Sequence, residues 1–294
     1  MANAPVRHAM GRIGVWAVQF RFGDPGFIAE AAVEVEELGY GAIWFPGGRG
    51  GDVGAGFRTI LDATKSIVAA SGILNIWVHE PGDVAGWWHG LSEGQRQRVM
   101  LGLGVGHADF VGAAWQKPLA KMAAWLDGLD REGIPRESRC IAALAPKMLG
   151  LAAARSAGSH PYLVPPEHTA IARATMGPQA LLAPEQGVIL DPDPASARAK
   201  AREQLETYVS KPNYCNNWKR LGFSDEDIAT RSDRFVDAIF AWGTPERIGE
   251  RLKAHLDAGA DHVCIQVISG APGSNDPEDM RRSWRELAPV AAQL

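Results

Sequence analysis

The chain has 294 residues, 46% of them hydrophobic, with 30 Lys and Arg against 34 Asp and Glu and a formal net charge of −4. That size and balance suit one large α/β domain over residues 1–294, able to bury its core without a staple. The charges are mixed along the chain without the basic stripe of a nucleic-acid surface, so no nucleic-acid partner is expected. Cys140, Cys215 and Cys264 are far apart and lack CxxC spacing, which argues against a zinc site and a disulfide framework. Residues 1–11 lack the apolar core of a signal peptide and are expected to be flexible. No apolar run reaches membrane-spanning length, and a cytoplasmic protein is expected.

Strand candidates alternate with helices along the chain. The first strand is 12–18, followed by a helix that Pro25 opens and Gly39 ends. The second strand, 41–45, leads into a glycine-rich loop and a helix over 58–70. The third is 73–78 and the fourth 99–105, with a helix from Asp83 between them. A long helix over 117–131 precedes the fifth strand, 139–144, and Pro146 then opens a helix to about Ser156. The sixth strand is 161–164, and Pro165-Pro-Glu167 starts the next helix. The seventh strand is 187–190, followed by a helix over 195–209. Thr244-Pro-Glu246, an N-cap with proline and acid in the first turn, opens a helix to Ala258 before the eighth strand, 262–268.

Such alternation, eight times over ~250 residues, is the signature of a (β/α)8 or TIM barrel. Residues 210–234 fit neither repeat and read as an insertion or lid, because a long aromatic-bearing excursion in a compact fold is usually a binding loop. A doubly wound sheet would want Gly-x-Gly-x-x-Gly after a strand. Gly102-Leu-Gly-Val-Gly-His107 has glycines at alternate positions only, and Gly51-Asp-Val-Gly-Ala-Gly56 lacks the Lys-Ser/Thr pair of a phosphate loop.

In a barrel, chemistry sits where strands end. The residues there are small, aromatic and amide groups, nearly empty of carboxylates. No facing acid pair suggests a glycosidase, and the histidines lack the acidic companions of a metal centre, so no metal is expected. Glycine, alanine, tryptophan and isoleucine at strand ends suit a flat apolar ring. Gly104 and Gly106 would permit close backbone approach, and Ile76 would offer a wall. The turn Leu144-Ala-Pro-Lys-Met-Leu149 offers an anion site, with the free N–H groups of the helix opened by Pro146 and the Lys147 cation. An ordinary helix start with a solvated lysine is the alternative. His107 can orient a phosphate or act as an acid, or simply bond a loop carbonyl. Trp16, Trp44 and Trp77 can stack on a ring or pack the barrel.

Several segments in order resemble the luciferase-like monooxygenase family of (β/α)8 proteins, and most closely its F420-dependent (deazaflavin) oxidoreductase branch. They are Gly72-Ile-Leu-Asn-Ile-Trp77, Leu101-Gly-Leu-Gly-Val-Gly-His107, Ala145-Pro-Lys-Met148, His160-Pro-Tyr-Leu-Val164, Leu181-Leu-Ala-Pro-Glu-Gln186, Pro212-Asn-Tyr-Cys-Asn-Asn217 and Ala258-Gly-Ala-Asp-His-Val-Cys264. The resemblance implies hydride transfer between coenzyme F420 and a small organic substrate, in a homodimer. FMN-dependent monooxygenation and flavin binding without turnover are the alternatives.

Carried over by position, the resemblance puts a non-proline cis peptide at Asn75-Ile76, with Ile76 behind the ring. It puts Gly104, Val105, Gly106 and His107 beside the ribityl chain and phosphate, and Ala145, Pro146, Lys147 and Met148 around the phosphate. Relatives often carry an acid or histidine just after the second strand, where this chain has Pro46-Gly-Gly-Arg-Gly-Gly-Asp52. The proton donor is therefore sought among the catalytic candidates His79, His107 and His160.

Overall fold

The computed structural model describes residues 6–48, 52–269 and 276–294. Its strands are β1 (Ile13–Trp16), β2 (Ala42–Phe45), β3 (Val68–Ser71), β4 (Leu74–Asn75), β5 (Val99–Gly104), β6 (Arg139–Ile141), β7 (Gly158–Ser159), β8 (Leu181–Leu182), β9 (Glu185–Ile189), β10 (Ala241–Trp242) and β11 (Val263–Val267). Every ladder is parallel, in the order β10-β9-β11-β1-β2-β3-β5-β6-β7-β8, with β4 also on β5. β8 pairs with β7 and β9 with β11, so the run 181–189 bridges the β7 side of the sheet to the β11 side. With helices between the strands, this is a TIM-barrel α/β fold. Proline opens most of the helices, among them Pro25–Glu37, Pro81–His89, Pro118–Arg131, Pro146–Arg155, Pro166–Met176 and Pro245–Asp257, where its missing N–H costs nothing.

The third, sixth and seventh strands are displaced from the sequence expectation. The helix expected over 58–70 ends at Ala63, because the Glu36 carboxylate accepts the backbone N–H groups of Lys65, Ser66 and Ile67 and holds them out of the helix. Burial would raise the Glu36 pKa, but these donors hold it down at about 2. β3 therefore occupies 68–71, and the run expected as strand 73–78 supplies only the two residues of β4 and a turn. The sixth strand lies at Gly158–Ser159, ahead of the expected 161–164, where Leu163 has a φ of 53° that no strand accepts. The seventh, β9, begins at Glu185 rather than 187, and the short β8 at Leu181–Leu182 precedes it.

The region expected as an insertion, 210–234, holds the helices Pro212–Arg220 and Asp225–Thr230 and the start of Asp233–Ile239. Trp218, Phe223, Phe235 and Phe240 form its apolar centre together with Leu205. Part of the N-terminal stretch expected to be flexible is ordered: Val6–Ala9 is helical, and Val6 and Met10 are buried against the barrel interior.

Inside the barrel, alternation selects Ala42, Trp44, Val68, Ala70, Met100, Cys140, Leu181, Ala183 and Cys264 as one apolar cluster. Trp44 stacks on His160 with ring centroids 4.1 Å apart and donates to His262 Nε2 at 3.1 Å. No helix among the described residues is long and apolar enough to cross a membrane.

A Cβ on Gly102 would collide with the Ser71 carbonyl oxygen of the neighbouring strand, so Gly102→Ala should cost about 1–3 kcal/mol in denaturant unfolding; unchanged stability would contradict the register of β3 on β5. Burial pushes the pKa values of His160 and His262 down to about 4 and that of His255 to about 3, below the ordinary 6.5. The unfolded chain thus binds more protons in this window, and stability present above pH 6.5 is lost as the pH falls toward 4. His160→Gln should shallow that acid limb of the melting-temperature profile; an unaltered slope would place the histidine in water.

Candidate active site at the barrel mouth

At the C-terminal ends of the strands the complete burial of the barrel interior gives way to partial exposure. Trp16, Gly72, Ile73, Ala142, Tyr162 and Gln266 point along the barrel interior yet keep partial solvent exposure. Two cavities, of about 220 and 600 Å³, lie elsewhere: one is lined by residues including Asp237, Trp242 and Arg247, the other by Ala29, Val33 and Arg281 on the outer helices.

The one cis peptide among the described residues joins Gly72 to Ile73. The expected position, Asn75-Ile76, is corrected: β3 ends at Ser71 and pairing resumes only at Leu74 in β4, so the break in the strand comes earlier than a strand starting at Ile73 would allow. Ile76 is fully buried in the core that includes the surrounding helices, so it cannot face the mouth. Ile73 is half-buried, and its Cδ1 lies 2.5 Å from where a Cβ on Gly104 would stand. At Gly106, with φ 61°, the same space belongs to Asn75 Nδ2 at 2.6 Å. Gly104 and Gly106 thus make room for the chain's own bulge rather than directly for a ring. Trp16 Nε1 donates to the Gly72 carbonyl at 3.0 Å, tying β1 to the bulge.

The three candidate histidines do not form one cluster. His160 is 2% exposed and sits in the barrel interior, with Nδ1 2.7 Å from the Ala183 carbonyl. His79 is half-buried, bonded to the Gly48 backbone in the loop after β2, and its buried Nε2 has no partner. Burial lowers its pKa, the Gly48 bond opposes this, and Arg21 lowers it further. A histidine from beyond β4 therefore rests on the loop where the sequence itself offers glycine. His107, half-buried at the end of β5, has its pKa lowered by burial and by Lys211, while Asp109 and the Asn213 side chain raise it. Its ring centroid lies 5.7 Å from that of Tyr214, on the helix Pro212–Arg220. Lys211 pairs with Asp109, so the inserted region is clasped to the β5 loop.

Val105 and Gly106 are half-buried in that loop. The turn Ala145–Met148 is a helix start without a side-chain cap. Met148 and Leu149 both donate to the Ala145 carbonyl at 3.0 Å, Pro146 has no N–H, and the Lys147 N–H has no partner among the described residues. Pro146 and the Lys147 side chain are exposed. Together they offer an anion a free backbone donor, a helix dipole and a cation.

Sequence reasoning missed Glu185, which is 1% exposed on the inner face of β9. It also missed the tyrosines Tyr208 and Tyr214, whose rings meet edge-on at 5.1 Å. Extending the inward alternation of 181, 183 and 185 would have exposed the acid. No group of three or more His, Cys, Asp or Glu side chains placed to hold a metal occurs among the described residues.

Solved structures with the same fold cover nearly the whole chain. An F420-dependent secondary alcohol dehydrogenase in complex with an F420-acetone adduct has a TM-score of 0.70 at 16% identity, over 96% of this chain and 99% of that one. A coenzyme F420-dependent tetrahydromethanopterin reductase from Methanopyrus kandleri gives 0.66 at 16%, over 96% and 99%. The oxygenating constituent of 3,6-diketocamphane monooxygenase from Pseudomonas putida, a type II Baeyer-Villiger monooxygenase in complex with FMN, gives 0.62 at 15%, over 96% and 98%. Among curated proteins none matches the chain. The family model described as luciferase-like monooxygenase matches residues 8–262, so the chain belongs to that family.

Proposed function

We propose that this protein is an F420-dependent oxidoreductase that passes a hydride between a deazaflavin held across the strand ends and a small organic substrate. The observation that supports the reading is the pairing of partly exposed, largely apolar strand ends with an uncapped helix start bearing Lys147. Two F420-dependent enzymes among the structural relatives support the choice of cofactor. The FMN complex of the diketocamphane enzyme supports FMN as the second reading.

The residues present fit such a group. Ile73 and Trp16 would offer a partly exposed apolar wall to a planar ring, with Asn75 and the buried Ile76 supporting the bulge. Gly104, Val105, Gly106 and His107 would flank the chain that leads to the phosphate, and Ala145, Pro146, Lys147 and Met148 would hold the phosphate. When bound, the deazaflavin supplies the hydride-carrying carbon; the protein supplies orientation, exclusion of water and a proton. His107 and His79, both shifted below 6.5, are neutral at pH 7 and can accept a proton or donate from a ring N–H. His160 sits beneath the floor as a neutral packing group. The same reading takes the protein as a cytoplasmic homodimer.

Absorbance titration of the purified protein with F420 and with FMN distinguishes the two cofactors, and bleaching of bound deazaflavin by a substrate panel distinguishes an enzyme from a binder. Lys147→Glu should weaken cofactor binding by about tenfold or more, equivalent to about 1.4 kcal/mol, with the melting temperature unchanged. Unaltered affinity would remove the turn at Ala145–Met148 from the site.

A further inference from the structure

Where β1 and β11 end, a polar side chain stands beside the apolar wall. Gln266 lies directly opposite Trp16 in the parallel ladder of these two strands, so their side chains leave the sheet on the same face. The Trp16 indole N–H is already committed to the Gly72 carbonyl. Gln266 is partly exposed, and its amide is held through the oxygen. The Tyr162 hydroxyl donates to Oε1 at 2.9 Å, and the Tyr208 hydroxyl approaches that of Tyr162 at 3.5 Å. The Tyr162 ring is fixed in turn by Tyr208 and Tyr214, with ring centroids 5.6 and 6.3 Å away.

This order of donors has a chemical consequence. A primary amide carries one acceptor oxygen and two N–H donors. Tyr162 occupies the oxygen, whereas Nε2 has no hydrogen-bond partner among the described residues and is not sealed from solvent. The hydroxyl protons of Tyr208 and Tyr162 are both directed along the chain toward Gln266. The amide N–H groups are therefore the donors that this cluster leaves for a ligand. All three side chains are neutral, and no charged side chain among the described residues hydrogen-bonds to any of them. An ionic ligand group would lose water here without a counter-charge, while a neutral oxygen exchanges one hydrogen bond for another.

We propose that Gln266 is the recognition group for a neutral carbonyl substrate, its amide N–H donating to the carbonyl oxygen while the apolar part of the ligand lies against Trp16 and Ile73. Tyr162 is a positioning residue: by holding Oε1 it turns Nε2 toward the ligand. The assignment names a substrate class for the proposed site and rests on the reading that the substrate binds at these strand ends. It does not depend on which cofactor binds beside it.

Two probes of one shape test the amide on the intact protein without added cofactor. Acetophenone presents a carbonyl oxygen where α-methylstyrene presents a methylene group, and saturation-transfer NMR titration gives the affinity of each. Comparing each variant with wild-type cancels the greater hydrophobicity of the hydrocarbon. Gln266→Leu, and Gln266→Met as an unbranched second variant, should weaken acetophenone relative to α-methylstyrene by about fivefold, the scale of one neutral hydrogen bond. Tyr162→Phe should shift the same ratio in the same direction by less, because the released amide still carries its donors. Melting curves establish that each variant is folded. An unshifted ratio in both Gln266 variants, equal weakening of both probes, or no binding of acetophenone by the wild-type overturns the assignment. A shifted ratio supports it, and does so even if F420 fails to bind, an outcome that would sink the deazaflavin reading alone.

Discussion

The mouth of this barrel depends on how closely the end of the third strand lies on the fifth. Gly102 and Gly104 carry no side chain where Ser71 and Ile73 press against them, and Gly106 yields the same space to Asn75. Gly72 is confined in turn by the Trp16 indole, which donates to its carbonyl, and by His160 beneath. The bulge is therefore held from three directions, by β5, by β1 and by the barrel interior. Its consequence is chemical: Ile73 is set at the floor as a fixed apolar surface, and the strands open around it. A rigid wall of this kind orients a planar ligand without moving when the ligand arrives.

Below that floor the barrel carries ionisable groups in uncharged form. His160 and His262 are linked through Trp44, and burial favours their neutral rings. Glu185 obeys the same rule with the opposite result for its proton, since burial favours the neutral acid. Charge is kept to the rim, where Lys147 stands exposed at a helix start and Lys211 pairs with Asp109. A neutral interior with a cationic edge suits a ligand whose rings are apolar and whose tail is anionic.

Much of the architecture was legible because its signals are local. Proline at helix starts and apolar runs between them gave the alternation, and the family segments gave the barrel its relatives. The third strand was misplaced for a non-local reason: Glu36, on another helix, terminates the helix before it. That shift moved the cis bond and exchanged Ile76 for Ile73. The short strands β7 and β8 were missed because two residues show no period, and Gly158 is selected only by its contact with the Leu181 backbone. Of the histidines, the sequence could not separate a floor residue from one packed under Trp44, since both lie near strand ends. Glu185 escaped notice because the seventh strand was expected to start at residue 187, which left the acid in the loop before it.

The central claim is that a planar redox ring rests on Ile73 at the strand ends with its phosphate at the turn around Lys147. The most direct test is a crystal structure of the protein soaked with F420. The account predicts the ring against the Gly72–Ile73 bulge and the phosphate within hydrogen-bond reach of the Lys147 N–H. A cofactor bound elsewhere, or its phosphate directed away from that turn, would contradict it.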